Sequence, residues 1–182
     1  MDPIQQREWD ELKAAARAQI LGSYQVEETG LQCLARIIVD PAFITLESWR
    51  LLRRNTARSP GYSVRWLLWN PERDFSRVMA PTGKLPVERR YRLRSLPPRL
   101  ETGEAELPPE VAETLLHRLT SVAVPCYAPA ERIGCDGVTY RLRTGDYFSG
   151  VEYSWWVTPP EPWLPLQEVV DAMLQTFRGL LP

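Results

Sequence analysis

The last third of the chain constrains the fold most, because two alternating segments meet there across a loop that contains two glycines. Residues 138–143 and 151–157 alternate apolar and polar side chains with the two-residue period of a β-strand. Joined by the loop 144–150, they have the sequence form of a β-hairpin. A proline-rich turn at 158–163 and a broad apolar stripe at helical spacing over 165–180 follow. The sequence therefore predicts a hairpin and a C-terminal helix with a buried face.

Strand-like alternation also occurs earlier in the chain. Residues 62–69 and 84–96 alternate cleanly, and 44–54 is predicted as a strand, although its last residues would also suit a helix. Residues 31–39 are either a strand or a short buried helix, because periodicity cannot separate the two in a short apolar run. We interpret residues 100–107 as an acidic connector that leads to the next helix.

Three helices are predicted, over residues 3–21, 109–121 and 165–180, each with apolar residues at helical spacing. A chain of 182 residues, of which 44% are hydrophobic, is long enough for one domain with a proper core and short for two. Clustered strands with short connections favour an antiparallel sheet. We therefore predict a single α+β domain over residues 1–182, with N-terminal, middle and C-terminal helices packed mainly on one face of one antiparallel sheet.

Charge is distributed unevenly along a chain whose net charge is only −1. Residues 1–48 carry 4 basic and 8 acidic side chains, residues 49–100 carry 13 and 3, and residues 101–182 carry 5 and 12. This asymmetry indicates either an anionic partner or a basic middle segment that acidic flanks neutralise within the fold.

Arginines are predicted to line the sheet face opposite the helices, because side chains alternate across a strand and the arginines recur at every second position. The candidate binding residues on this face are Arg90, Arg92, Arg94, Arg141, Arg143 and Trp156. Aromatic rings beside arginines suit stacking on nucleic-acid bases. They equally suit a sheet core with a solvated back, or a protein partner anchored by Arg and Trp. Glu152 is placed to face Arg141 or Arg143 across the hairpin.

The expected compartment is a reducing cytoplasm. Cys33, Cys126 and Cys135 are too few for a disulfide framework, and their odd number leaves at least one free thiol within the chain. The first residues lack the basic and apolar regions of a secretory signal. No apolar run approaches the roughly 20 residues of a membrane span, so no membrane partner is expected.

Metal and nucleophile chemistry have one candidate cluster. His117, Cys126 and Cys135 follow one another at nine-residue steps, and Asp136 adjoins the last. Zinc accepts these ligand types, but the closely spaced cysteine pair of a zinc knuckle is absent. A Cys–His nucleophile pair would have to use His117, the one histidine of the sequence. We expect no metal, no cofactor and no catalytic residue, and we interpret the cysteines as small packing groups.

Other catalytic motifs are equally weak. The carboxylates Glu47, Asp136, Asp146 and Glu152 could converge on one sheet face, but no spacing among them marks an acid–base couple. The glycine-rich motifs that cradle phosphates do not occur.

The tail resembles a pattern found in small bacterial proteins of unassigned function. The residues that carry the resemblance are Asp136-Gly137-Val138-Thr139-Tyr140, Tyr153-Ser154-Trp155-Trp156 and Pro159-Pro160-Glu161-Pro162-Trp163. They follow the order of an Asp-Gly strand, an aromatic strand and a Pro-Trp turn before a C-terminal helix. The resemblance implies a bacterial or phage source and an α+β fold, and it carries no catalytic residues to transfer.

Three functions remain open from the sequence. The favoured prediction is a non-enzymatic binding module of a bacterial cytoplasm that interacts with another protein, as an immunity-type or regulatory protein. The alternative is a nucleic-acid-binding module that uses the arginine face. The second alternative is a small hydrolase or metal protein around His117 and the cysteines.

Overall fold

Six antiparallel strands form one sheet in the computed structural model, which describes residues 3–22, 30–41, 44–54, 60–79, 97–129, 137–145 and 149–182. The strands are β1 (Leu31–Pro41), β2 (Leu46–Arg54), β3 (Gly61–Trp69), β4 (Leu100–Leu107), β5 (Val138–Gly145) and β6 (Gly150–Trp156). Their order across the sheet is β4-β3-β2-β1-β5-β6. The helices are α1 (Pro3–Gly22), α2 (Pro71–Val78), α3 (Pro109–Ser121) and α4 (Leu164–Arg178), and a 3-10 turn (Glu161–Trp163) precedes α4.

The predicted fold class is confirmed: one antiparallel sheet is combined with N-terminal, middle and C-terminal helices. The hairpin of the last third is present as β5 and β6, and the C-terminal helix as α4. Residues 31–39, for which both a strand and a short helix were possible, belong to the strand β1. This strand pairs on one side with β2 and on the other with β5. The predicted strand over 84–96, with Arg90, Arg92 and Arg94, lies outside the described residues.

The interpretation of residues 100–107 as a connector is wrong, because they form the edge strand β4, paired with β3. Two of their inward positions are held by the small residues Gly103 and Ala105, which hides the apolar alternation that usually marks a strand. Gly103 is required there, because a Cβ at this position would meet the indole ring of Trp66.

One face of the sheet, which we call the core face, is covered by α3 and α4. Its centre is Trp49, whose ring centroid lies 6.1 Å from that of Trp66 and 6.2 Å from that of Phe177 in α4. Trp49, Leu51 and Leu142 are fully buried there. Among the described residues, these rings and aliphatic side chains belong to the larger of two apolar clusters. Burial of such area is the main stabilising contribution to the fold.

The opposite face is partly covered by α1, whereas the sequence placed the helices mainly on one face. Ala16 and Ile20 of α1 pack against Ile38, Leu46 and Trp69, which project from the sheet on this side. Since this end of the face is apolar, α1 shields it from water.

None of the described helices is long and apolar enough to cross a membrane.

A buried carboxylate fixes α2 beside the sheet. Asp74 is fully buried and accepts hydrogen bonds from the Trp69 indole at 2.9 Å, the Arg99 backbone N–H at 2.9 Å and the Arg77 guanidinium at 2.5 Å. Burial favours a higher pKa for Asp74, but these three donors outweigh it and hold the pKa below its ordinary value. The carboxylate therefore stays charged and connects α2 with the start of β4.

The packing predicts that Phe177→Ala lowers the free energy of unfolding by about 3–5 kcal/mol, because it leaves a cavity against Trp49. Phe177 is 1% exposed. Urea unfolding followed by tryptophan fluorescence measures the change.

The matched control for this prediction is Phe75→Ala. Phe75 is 38% exposed, and its ring centroid lies 5.3 Å from that of Trp9 in an edge-to-face contact. Removing the Phe75 ring should therefore lower the free energy of unfolding by only about 1 kcal/mol. A cost below about 1 kcal/mol for Phe177→Ala would contradict the placement of α4 in the core.

Candidate functional site

A row of charged side chains crosses the whole sheet on the side of α1, which we call the arginine face. The register places one residue of each strand directly opposite its neighbour in the order Glu104, Arg65, Arg50, Arg36, Arg143 and Glu152. We call the four central residues the arginine row. Four like charges in adjacent cross-strand positions repel one another, so the fold must supply compensating groups.

Arg36, in the central strand β1, is compensated by the end of α1. Its guanidinium donates to the carbonyl oxygens of Ile20 and Leu21, the latter at 3.2 Å, and its Nε donates to Ser48 Oγ at 3.3 Å. The last carbonyls of a helix lack intrahelical partners and carry the negative end of the helix dipole. Because α1 has no basic residue in its own last turn, Arg36, only 3% exposed, provides this cap from the sheet.

The end of the row at β3 and β4 is neutralised by a carboxylate. Arg65 donates to Glu104 Oε2 through Nε at 2.9 Å and through Nη2 at 2.7 Å, and the Ser63 hydroxyl donates to Glu104 Oε1 at 2.7 Å. Burial favours a higher pKa for Glu104, but Ser63 and Arg65 together hold that pKa below its ordinary value. Glu104 therefore remains a charged partner of Arg65 near neutral pH.

The other end of the row borders a pocket of about 100 Å³ beside the C-terminal end of α1. Its lining residues are Leu21, Arg36, Ile38, Arg141, Arg143 and Glu152. Among the described residues, no carboxylate lies within ion-pair distance of the Arg141 guanidinium. The pocket therefore combines three guanidinium groups with one carboxylate and two aliphatic side chains.

Three of the candidate residues proposed from the sequence lie together on this face. Arg141 and Arg143 project from β5, and Trp156 on β6 lies opposite Thr139 on the same side. Glu152 is the cross-strand neighbour of Arg143, as the hairpin spacing predicts. Arg90, Arg92 and Arg94 lie outside the described residues, so their share in this face stays a prediction.

Two of the residues considered for metal or nucleophile chemistry, His117 and Cys126, are described. His117 lies on α3, where its Nδ1 is 3.1 Å from Ser121 Oγ, and Cys126 is exposed in the segment that follows α3. Of the remaining cysteines, Cys33 lies on β1. Burial raises the pKa of the Cys33 thiol, although Arg50, Arg36 and Arg143 act in the opposite direction. Within the described part of the chain, no three His, Cys, Asp or Glu side chains are grouped as a metal site would require, and Cys135 lies outside it.

The carboxylates considered for acid–base chemistry do not converge. Glu47 lies on the core face and accepts hydrogen bonds from the Trp49 indole and the Arg178 guanidinium, both at 2.8 Å. Glu152 lies on the arginine face. The other two, Asp136 and Asp146, lie outside the described residues.

Sequence reasoning missed Arg36, Arg50 and Arg65 as members of one row, because they come from three strands whose register is not readable from spacing alone. One signal was available. Arg36 interrupts the apolar run of β1, and a charged residue in a buried strand needs a partner.

The chain was compared with protein-family models, with curated proteins and with solved structures, and no match was found in any of the three.

Replacing Arg36 with methionine is expected to destabilise the protein by about 1–3 kcal/mol, because two carbonyl oxygens at the end of α1 lose their donor. The loss of repulsion between Arg36 and its neighbours in the row would raise the free energy of unfolding by only about 0.2–1 kcal/mol. Urea unfolding measures the difference.

Arg118→Met is the control, since Arg118 is exposed on α3 and its replacement should change stability by less than about 0.5 kcal/mol. If Arg36→Met is neutral or stabilising, Arg36 is not the cap of α1.

Proposed function

We propose that the protein is a non-enzymatic interaction module whose arginine face binds an acidic segment of another protein. The observation that carries this proposal is the solvent-exposed end of the arginine row, where Arg143 and Arg141 project from β5 to the same side of the sheet. Arginine is a frequent anchor of protein interfaces, because its planar guanidinium pairs with carboxylates through two parallel hydrogen bonds.

The shape of the charged area favours a protein partner over a nucleic acid. The row spans three inter-strand distances, or about 14 Å, and a glutamate ends it on each side. Nucleic-acid affinity rises with the number of phosphates neutralised along a track, and this row offers only a short track. Arg36 and Arg50 are also largely shielded from solvent, at 3% and 7% exposure.

The aromatic residues also favour a protein partner. Trp66 belongs to the core face, and Trp69 is covered by α1, so that they are 8% and 4% exposed. Neither ring offers a surface on which bases could stack. Trp156 is the partly exposed tryptophan beside the basic residues, and one ring suits an anchor in a protein interface.

The proposed setting is a bacterial cytoplasm, in which an immunity-type or regulatory protein meets its partner. The free thiols of Cys33 and Cys126 support a reducing compartment. The bacterial source comes from the resemblance of the tail, which stays a prediction.

The test is a fluorescence anisotropy titration with three labelled probes: a decaglutamate peptide, a single-stranded RNA and a duplex DNA, at about 0.15 M salt. We expect the peptide to bind more tightly than either nucleic acid. The double variant Arg141→Gln/Arg143→Gln should weaken peptide binding by about tenfold or more, because two charge-assisted contacts are lost.

The control variant is Arg118→Gln, which removes the same kind of charge from an exposed position on α3 and should leave binding of the peptide unchanged. Sub-micromolar RNA or DNA binding that the double variant abolishes would instead identify a nucleic-acid-binding module.

A further inference from the structure

We infer that the protein forms a two-fold symmetric dimer, in which the edge strand β6 of one copy pairs antiparallel with β6 of a second copy. The strand β6 ends the sheet, because among the described residues it pairs with β5 alone. This inference does not depend on the proposed function, since it concerns the edge of the sheet and not the partner of the arginine face.

The hydrogen-bond pattern of the hairpin shows which backbone groups of β6 face the edge. The Val157 N–H donates to the Val138 carbonyl oxygen at 2.7 Å, so these two residues form a hydrogen-bonded pair. Hydrogen-bonded and non-hydrogen-bonded pairs alternate along an antiparallel ladder. The N–H and C=O groups of Glu152 and Ser154 therefore point away from β5, and both residues are exposed. A further strand can pair with them.

The side chains of β6 do not protect this edge. Natural sheet edges avoid pairing by means of lysines, prolines, several charges or bulges. The segment Gly150–Trp156 contains one charged residue, Glu152, and neither lysine nor proline, and its Val151 is 38% exposed. The other edge strand, β4, carries three glutamates within eight residues, so two copies of β4 would repel each other. Self-association is therefore expected at β6.

The strand β6 is complementary to itself about Tyr153. An antiparallel pair centred on this residue includes all seven residues of both strands and places Glu152 opposite Ser154, the two residues whose backbone groups point outward. On the core side, Tyr153 then lies opposite Tyr153 of the second copy, and Val151 lies opposite Trp155. Aromatic pairs and pairs of an aromatic with a β-branched residue stabilise neighbouring strands. One register thus satisfies the backbone and the side chains together.

The charges also fit a second copy. In this register Glu152 faces the small side chain of Ser154, so that no two carboxylates oppose each other. Within its own sheet, Ser154 lies opposite Arg141. Glu152 of one copy is therefore two strand spacings, about 10 Å, from Arg141 of the second copy, on the same side of the joined sheet. Unlike charges at the ends of these long side chains attract each other across the junction.

The experiment is sedimentation velocity of the full chain over about a hundredfold range of concentration, because contact through one pair of strands should give a reversible dimer. We expect the mass to rise from that of one chain, 21.0 kDa, toward twice that value. Ser154→Glu should raise the dimer dissociation constant at least about fivefold, because carboxylates then face each other at two symmetric positions. Glu152→Lys/Ser154→Glu should restore association, because a lysine then faces each new glutamate.

Ser76→Glu is the control, since it makes the same change at an exposed position on α2 and should associate as the wild type does. Urea unfolding shows that each variant is folded. A wild type that stays monomeric over the whole range, or Ser154→Glu protein that associates as the wild type does, would overturn the dimer. A folded double variant that does not recover association would also overturn it, since recovery requires position 152 to face position 154.

Discussion

The hydrogen bonds from Arg36 to the last carbonyl oxygens of α1 are the interaction on which the arginine face depends. They bring a guanidinium into the centre of the sheet, where it would otherwise be a buried charge of high cost. They also fix the end of α1, while the Arg17–Asp40 ion pair at 2.6 Å connects the helix to β1. The pocket lies beside this contact, between the end of α1 and β5.

The charges of this face are balanced unequally. At one end Glu104 accepts two hydrogen bonds from Arg65 and one from Ser63, which completes a local network. At the other end Arg141, Arg143 and Glu152 line the pocket beside α1. The register brings these side chains together, and we propose that an acidic partner binds at this end of the face.

Much of the fold could be predicted from local spacing, because hairpins and amphipathic helices depend on residues close in sequence. The hairpin β5–β6 and its Arg143–Glu152 pair are examples. The strand β4 could not be predicted in this way, since the small residues Gly103 and Ala105 hold two of its inward positions and its glutamates resemble those of a connector. The arginine row could not be predicted from local spacing either, because it consists of residues from four strands that only the register brings together. The position of Arg141 on the arginine face could be predicted from the alternation of its strand. The pocket could not be predicted, because it depends on where α1 ends relative to the sheet.

The most direct test of the account is a charge reversal at the open end of the row, with Arg141→Glu/Arg143→Glu measured against decaglutamate and decalysine peptides. The account predicts that the wild type prefers decaglutamate and that the reversed variant prefers decalysine, with urea unfolding showing that both remain folded. An unchanged preference for decaglutamate in the folded variant would contradict the claim that this face recognises acidic partners.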